Sequence, residues 1–402
     1  MIIIIGILRV IISLTRGEKQ FPKTTKLDGQ IIFAATDASN SGGKRNNLTL
    51  SDRVRLNLKT SFTGEDQLLA RLQASNVINP NGPGYETGLS FKSGSDTNNS
   101  VQLSKLEYRF PFPRNENICV MFATGFNTYF DDADVINPLK DDSNAAISRF
   151  GRYSPIYRLG GDTGIGVTFN LRKDLTAQTF YLAGSANAND PNGGNGLFNG
   201  KYGALAQIIF YPKTKPVDKD TKVAFTYVNA YNNTTTKVNN NDVFNGLGHN
   251  TGSFASNLFG REVSSNSYGI ETNVKINEHF QLGGWLSYTN ARALTGAVKG
   301  DADIWSSAVT LAFPSNKKDI NKGNLLGIII GMEPKLTGSS AQLSGLPYRR
   351  DPSTGFHIEA FYRYQINDKI NITPGLVWLT APNHDDQNGD ILLGVVRTTF
   401  KF

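Results

Sequence analysis

The chain has little of what several common protein classes require. It has one cysteine, Cys119, in 402 residues, so an internal disulfide framework and a cysteine-based metal site are excluded. Beyond the N-terminus, no window comes near the roughly 20 consecutive apolar residues of a membrane-spanning helix. The four histidines, His249, His279, His357 and His384, are too far apart in sequence to show metal-ligand spacing. We therefore expect no metal, no cofactor and no bundle of membrane helices.

Motifs for catalysis are also missing. The sequence contains no nucleophile elbow, no P-loop and no dinucleotide-binding fingerprint. The Asp-rich stretch 384–389 starts with His384 and has Val395 where the closing Glu of a calcium loop belongs, so we reject an EF-hand. A barrel enzyme would need a nucleophile with a base within reach. His357 is the only histidine that we place clearly within a strand and facing inward. We predict that the protein is not an enzyme.

The net charge of +7 comes from Lys and Arg residues scattered singly, not clustered. This scatter argues against nucleic acid as a partner. The sequence is rich in Gly (40), Phe (24) and Tyr (15), which suits pleated strands and tight turns. Its mean hydropathy of −0.30 is compatible with a β-barrel, because only alternate residues of each barrel strand face lipid.

From Lys26 onward the sequence divides into short segments that alternate between apolar and polar residues. In Leu50–Phe62 the apolar residues and the Arg, Asn and Lys residues occupy opposite faces, and Phe356–Ile366 shows the same period of two. About sixteen such segments are present, a number that outer-membrane barrels adopt. They begin near residues 26, 48, 66, 99, 116, 161, 174, 199, 219, 263, 278, 303, 322, 355, 369 and 389.

The links between these segments alternate in length. Short links such as Arg172–Lys173 take turns with long links such as Asn76–Asn99 and Asn127–Gly160. Short periplasmic turns and long external loops produce this alternation in a membrane barrel, whereas a soluble sandwich follows no such rule. The sequence predicts an all-β fold: one transmembrane antiparallel barrel of about 16 strands over residues 26–402. Both termini would lie on the periplasmic side.

Residues 1–25 form a separate N-terminal apolar segment. Met1–Ser13 is apolar except for Arg9, and it lacks a basic start and an Ala-x-Ala cleavage site. It is either a degenerate export signal or sequence upstream of the domain, from a truncated gene or a misplaced start. We favour the second interpretation.

A diffusion pore needs a wide lumen, a constriction and a charge field. The inward charges predicted on the barrel wall are mostly basic, and they suggest a mild preference for anions; the alternative is an ordinary solvated lumen face. These wall residues are Arg53, Arg55, Lys59, Arg71, Arg109, Arg363, Arg397 and Lys401, together with the acidic Glu107 and Glu359.

The long link 127–160 is the candidate constriction, by analogy with general porins, in which the loop at this position folds back into the lumen. It carries charges of both signs, which could set up a transverse field; otherwise it merely covers the mouth. Its charged residues are Asp131, Asp132, Asp134, Lys140, Asp141, Asp142, Arg149, Arg152 and Arg158.

The last strand ends on alternating aromatic residues. Phe400 and Phe402 share one face, an arrangement that resembles the signal read by the bacterial barrel-insertion machinery. Together with the segments Leu27–Ile31, Leu50–Leu58 and Gly160–Gly164, this terminus resembles the cyanobacterial outer-membrane porins. These are related to the carbohydrate-selective (OprB-type) porins and are sometimes labelled iron-uptake porins.

The resemblance covers about residues 25–402 and implies a bacterial outer-membrane location. Family members usually carry an N-terminal S-layer-homology domain and a coiled coil, and this sequence has neither. The function expected is a water-filled channel for passive diffusion of small hydrophilic solutes and inorganic ions. A carbohydrate-selective channel is the main alternative, and a closed structural barrel or a barrel enzyme is less favoured. Expected partners are outer-membrane lipid, the insertion machinery, the solutes and, in a homotrimer, two further copies.

Overall fold

The structure is a computed structural model of the chain. It describes residues 25–39, 46–92, 96–125, 130–184, 187–212, 220–294, 299–316, 319–340, 343 and 349–402. The predicted N-terminal segment lies outside these residues except for its last position, Thr25.

Sixteen of the described strands form one closed barrel. In chain order they are β1 (Lys26–Ala38), β2 (Thr49–Thr60), β3 (Gln67–Ser75), β4 (Gln102–Phe112), β5 (Asn115–Thr124), β6 (Thr163–Arg172), β7 (Leu175–Ala183), β8 (Tyr202–Phe210), β9 (Lys222–Asn232), β12 (Val263–Asn277), β13 (Phe280–Ala293), β14 (Gly300–Pro314), β15 (Leu325–Ser339), β16 (His357–Asn367), β17 (Ile370–Leu379) and β18 (Ile391–Lys401).

Short elements occur outside the barrel wall. A separate hairpin of β10 (Thr235–Val238) and β11 (Asn241–Phe244) lies in the connection between β9 and β12. The four-residue helix α1 (Gly196–Asn199) lies between β7 and β8. Single 3-10 turns occur at Phe130–Asp132, Phe150–Arg152, Pro155–Arg158, Ala255–Asn257 and Pro382–His384.

Every strand of the barrel is antiparallel to both neighbours. β9 pairs directly with β12, so the β10–β11 hairpin is not part of the barrel wall. β1 pairs with β18 and closes the sheet. The predicted sixteen-strand antiparallel barrel is confirmed, and each predicted segment start lies within three residues of an observed strand start. The sequence did not predict the β10–β11 hairpin, whose strands have four residues each and leave the wall.

The period of two separates an apolar outer face from a largely polar inner face. On β17 and β18, the outward residues Leu376, Trp378, Leu392 and Val396 are about half exposed, whereas the inward Arg397 is fully buried. Exposed apolar side chains in this alternation form the lipid-facing band of a membrane barrel. Among the described residues, no helix is long and apolar enough to cross a membrane.

The connections have very different lengths at the two ends of the barrel. At one end the links are short, such as residues 113–114, 173–174, 278–279 and 368–369. At the other end they run to 76–101, 125–162 and 233–262. Loops of this size can reach across the mouth or into the lumen, which the short turns cannot do.

The C-terminal residue completes the barrel seam at the short-turn end. Phe402 exchanges two backbone hydrogen bonds with Gly29, with N···O distances of 2.9 and 3.1 Å. A side chain at Gly29 would collide with the Phe402 ring, so glycine allows the ring to lie over β1. Phe400 packs edge-on against Phe33, with ring centroids 6.2 Å apart. Both aromatic residues of the predicted insertion signal thus pack at the β1–β18 seam.

A positive charge at the middle of the outer face tests the lipid-facing assignment. We expect Leu376→Arg, near the centre of β17, to lower the free energy of unfolding in a bilayer by about 2–4 kcal/mol, because an Arg at the bilayer midplane costs that much. Leu27→Arg, at the end of β1, is the matched control and should cost less than about 1 kcal/mol. Equilibrium denaturant titration of folding into vesicles measures both. Equal costs at the two positions would contradict the assignment.

Candidate functional site

The connection between β5 and β6 folds into the barrel. We call its described residues 130–162 the inserted loop. Its apolar side chains pack against inward-facing wall residues; Ile147 and Phe150 belong to one buried cluster with Phe361, Val377 and Val395. Two wall glycines make room for them. A Cβ at Gly375 would lie 2.7 Å from Ile147 Cδ1, and one at Gly331 would lie 2.9 Å from Phe150 Cε1.

Asp142 joins the inserted loop to β2 through two arginines. Its carboxylate receives hydrogen bonds from Arg53 at 2.9 and 3.1 Å and from Arg55 at 2.8 Å. The Arg53 side chain is fully buried, and those of Arg55 and Asp142 are nearly so. Burial acts to raise the pKa of Asp142, but the charges of Arg53 and Arg55 outweigh it and hold that pKa well below its usual value. Asp142 therefore stays ionised down to acidic pH, and the contact persists.

Arginines on β16 and β18 bind the backbone of the same part of the loop. Arg397 donates to the carbonyl oxygens of Asp142 and Ala146 at 3.1 Å and of Ala145 at 2.7 Å. Arg363 donates to the carbonyl oxygen of Asn144 at 3.0 Å. Buried carbonyl groups outside regular structure need such donors, because an unpaired buried polar group is costly.

Glu359, on β16, supplies the matching acceptor. Its carboxylate accepts hydrogen bonds from the backbone N–H groups of Ile147 at 2.6 Å and Ser148 at 3.2 Å, and from the Ser148 hydroxyl. Wall side chains thus pair with carbonyl oxygens of residues 142–146 and with the N–H groups of residues 147–148.

The first part of the inserted loop pairs with charged side chains on two other barrel strands, β4 and β9. Asp132 contacts Lys105 and Arg109 of β4, and Glu107 lies within reach of both of these cations. Asp134 contacts Lys222 of β9 at 2.7 Å and accepts a hydrogen bond from the Tyr211 hydroxyl at 3.1 Å. Burial acts to raise the pKa of Asp134, but the charges of Lys222 and Lys140 outweigh it, so the pKa lies below its usual value.

The remaining charges predicted on the loop mostly stabilise the loop itself. Asp141 accepts from the backbone N–H groups of Ser143 and Asn144. Arg152 donates to the Lys140 carbonyl oxygen at 2.8 Å, and the guanidinium of Arg158 lies 4.2 Å from the centre of the Tyr153 ring. Arg149 is half-buried, and its backbone N–H donates to the Gly88 carbonyl oxygen at 2.6 Å. The side chain of Asp131 lies outside the described part of the chain.

The wall charges near the short-turn end are more exposed. Lys59 pairs with Asp28 at 2.6 Å, and Arg71 donates to the side-chain oxygen of Asn57 at 2.9 Å. All ten predicted wall residues lie on barrel strands, on the alternate positions that face inward. Six of them are buried by contacts with other side chains or with the inserted loop, namely Arg53, Arg55, Glu107, Glu359, Arg363 and Arg397.

Sequence reasoning missed the apolar contacts that seat the loop. It placed Phe361 inward but assigned most other apolar strand residues to lipid, yet Ile329 and Val377 also face inward and are buried. A usable signal was present in 325–331, where apolar residues occupy both faces of a strand. The apolar residues of 145–159 were a second signal that this link is buried and not a hydrated surface loop.

Nothing in the described residues resembles a metal centre: no group of three or more His, Cys, Asp or Glu side chains is placed to hold an ion. The arrangement instead places fixed charges of both signs inside the barrel, along the inserted loop and the wall. Fixed charges of both signs at a narrow point determine which ions and polar solutes pass.

Removing the Asp142 charge tests the attachment of the inserted loop. We expect Asp142→Asn to destabilise the barrel by about 3–5 kcal/mol, because it leaves two buried arginines without their counter-charge. Asp368→Asn, on an exposed short turn, is the matched control and should change little. Denaturant titration gives the loss, and proteolysis between residues 130 and 162 reports release of the loop. An Asp142→Asn protein as stable as the control would contradict this attachment.

Comparisons with known proteins agree with this geometry. The sequence profile described as "Carbohydrate-selective porin, OprB family" matches residues 14–402. An uncharacterized protein of Nostoc sp. (strain PCC 7120) is 34% identical over 95% of this chain and 66% of its own length. One from Synechocystis sp. (strain PCC 6803) is 34% identical over 96% of this chain and 70% of its own length. The chain thus spans about two thirds of the length of these relatives.

Solved structures share the fold at low sequence identity. The chain is similar to OprB of Pseudomonas putida, with a TM-score of 0.60 and 11% identity over 94% of both chains. It is also similar to an anion-selective porin from Comamonas acidovorans, with a TM-score of 0.56 and 8% identity over 94% of this chain and 99% of that one. The family match, the cyanobacterial relatives and the closed barrel place the protein in the bacterial outer membrane. The chain belongs to the OprB family of carbohydrate-selective porins.

Proposed function

We propose that the protein forms a water-filled channel through which small hydrophilic solutes and inorganic ions diffuse passively. The observation that carries this proposal is the inserted loop, which charged wall residues hold inside the lumen at Asp142 and Asp132. A loop fixed in this way leaves a passage of defined width and charge beside it.

The passage would run along groups of the inserted loop and the wall that remain partly exposed. The side chains of Arg109, Lys140 and Asp134 are 37%, 43% and 31% exposed inside the barrel. The described parts of β2, β3 and β4 face inward with six cations, Arg53, Arg55, Lys59, Arg71, Lys105 and Arg109. The four carboxylates that contact these cations are Asp28, Glu107, Asp132 and Asp142. This balance favours anions over cations at the constriction. The Comamonas acidovorans porin is itself described as anion-selective, although its likeness to this chain extends to the fold alone.

A carbohydrate-selective channel is the second candidate, and the family description favours it. Sugar channels present aromatic faces along the path. Phe361, the inward aromatic residue of β16, is buried in the same cluster as Phe150 and Ile147, so it does not supply such a face. Conductance blocked by added sugar would move the assignment to this candidate.

The barrel-enzyme alternative has less support. Both ring nitrogens of His357 face carboxylates, at 2.7 Å from Glu333 and 3.4 Å from Glu359, whereas a general base needs a nucleophile hydroxyl or thiol within reach. A closed structural barrel remains an outcome of the conductance experiment.

We also propose partners that suit a porin. The Phe400 and Phe402 side chains lie on the last strand, where the insertion machinery would bind before β18 pairs with β1. The exposed apolar outer face suits outer-membrane lipid and, in a homotrimer, the faces of two further copies.

Planar-bilayer recording of the refolded protein tests the channel. We expect stable, ohmic steps in conductance. In a salt gradient, we expect a reversal potential whose sign indicates a preference for anions. Folding is checked beforehand by circular dichroism. A folded barrel that never conducts would overturn the channel proposal, and cation preference would overturn the anion proposal alone.

Neutralising two wall cations tests the origin of the selectivity. In Arg71→Gln and Arg109→Gln we expect the anion-to-cation permeability ratio to fall about twofold each, because a unit charge roughly 10 Å from an ion in water contributes about 0.4 kcal/mol. Lys237→Gln, on the exposed β10–β11 hairpin, is the control and should leave the ratio nearly unchanged. An equal fall in the control would assign the preference to the net charge of the whole protein.

A further inference from the structure

Three external loops meet above the barrel. We call their joined residues the cap: Tyr85–Glu86, His249–Asn257 and Pro382–His384. The backbone N–H of Tyr85 donates to the Gly252 carbonyl oxygen at 2.9 Å, and the Tyr85 and Phe254 rings stack at 5.9 Å. Asn383 joins the other two loops, since its N–H donates to the Glu86 carboxyl at 2.6 Å and its side-chain oxygen accepts from the Phe254 N–H at 2.7 Å.

Glu333, at the loop end of β15, attaches the cap to the barrel wall. Its carboxylate accepts the Gly252 N–H at 2.8 Å, and its backbone carbonyl oxygen lies 3.1 Å from His384 Nε2. The backbone is tightly packed here, because a Cβ at Gly252 would lie 2.2 Å from the Pro334 carbonyl oxygen. Two of the three cap loops therefore bind to one wall residue.

A buried chain of hydrogen bonds continues from Glu333 to the inserted loop. The other oxygen of the Glu333 carboxylate lies 2.7 Å from His357 Nδ1, and His357 Nε2 lies 3.4 Å from Glu359 Oε2. Glu359 then accepts the backbone N–H groups of Ile147 and Ser148. The three side chains are 0–2% exposed, so each depends on its neighbours for a polar partner.

We propose that Glu333, His357 and Glu359 form a relay that couples the cap to the inserted loop, so that release of the cap loosens residues 147–148 and widens the passage. The relay rests on the proposed channel function. Its members are positioning residues that act on the passage through the inserted loop.

The physical basis is the cost of an unpaired buried charge. When the cap leaves, Glu333 loses its hydrogen bond from the Gly252 N–H. Its other carboxylate oxygen then moves closer to Nδ1 of the His357 ring. His357 has only two nitrogens, so a closer contact with Glu333 weakens the contact with Glu359, which is already the longer one. Glu359 then holds the loop N–H groups less firmly, and the inserted loop gains freedom at the narrow point.

The cap also contains groups whose protonation changes its attachment. Burial, and then the charge of Glu333, raises the pKa of Glu86 from 4.5 to about 8. Asp351 faces the cap beside Lys335 and Asp385, and burial raises its pKa to about 6. Burial lowers the pKa of His384 to about 4. The pKa of His249 is lowered to about 3, mainly by burial and in addition by the charges of Arg158 and Arg149.

The signs of these shifts give the direction of the pH effect. Because the docked pKa of Glu86 is raised, its contribution to cap docking is full below pH 4.5 and is lost as the pH rises toward 8. Asp351 acts the same way at lower pH, and the two histidines weaken docking only in acid. Between pH 6.5 and 8, Glu86 therefore dominates, and the cap loosens as the pH rises.

Single-channel recording between pH 6 and 9 tests the relay. We expect wild-type conductance and open-channel noise to rise with pH, and this rise to be lost in Glu86→Gln, which keeps a neutral side chain in the docked cap. Glu65→Gln, on an exposed short turn, is the control and should keep the wild-type response.

A double-mutant cycle separates coupling from simple loss of structure. His357→Gln should give a raised conductance that no longer depends on pH, and adding Glu86→Gln should change nothing further. Glu359→Gln keeps an acceptor for the loop N–H groups, so it should recover more of the wild-type behaviour than Glu359→Ala. His279→Gln, on a short turn, serves as the histidine control.

The outcomes distinguish this proposal from the porin function. If no variant conducts at any pH, the channel proposal fails. If the protein conducts but shows no pH response, or if the effects of Glu86→Gln and His357→Gln add, the relay is overturned and the channel stands.

Discussion

The inserted loop brings irregular backbone into a closed barrel, and its polar groups need partners there. Water and regular structure normally supply such partners, whereas here charged wall side chains do so. Arg363 and Arg397 donate to four carbonyl groups of residues 142–146, and Glu359 accepts the N–H groups of Ile147 and Ser148. Asp142 adds a buried carboxylate between Arg53 and Arg55. The width and charge of the proposed passage, and its proposed response to pH, all depend on this attachment.

This arrangement gives the wall charges two roles. An arginine that holds the loop is not available to solutes in the same way as one on an open wall. In the proposed channel, the buried Arg53 and Arg397 would therefore act mainly on the shape of the passage, and the partly exposed Arg109 and Lys140 on its electric field. Charged side chains of the kind that make a porin selective thus hold the inserted loop in place, together with the apolar wall contacts of Ile147 and Phe150.

Much of the barrel was predictable, for a reason visible in individual strands. β2 and β18 alternate between an aqueous lumen and lipid, so their apolar residues repeat with a period of two and their ends are marked by turn residues. β15 was harder to interpret, since Leu325–Gly331 is apolar on both faces: one face meets lipid and the other meets Phe150 and its neighbours. The prediction that 127–160 folds inward came from analogy, and its apolar residues would have supported it directly.

The sequence by itself determined that this chain closes into a sixteen-strand membrane barrel, because strand period, link length and the terminal aromatic residues are local properties. It also placed charge on the inward faces. Only the tertiary structure decided which of those charges meet. Arg53 and Asp142 are 89 residues apart, and Glu359 and Ile147 are 212 apart, so no spacing rule connects them. Their contacts exist because closure of the barrel brings distant strands around one loop, and the low accessibility inside makes each pairing necessary.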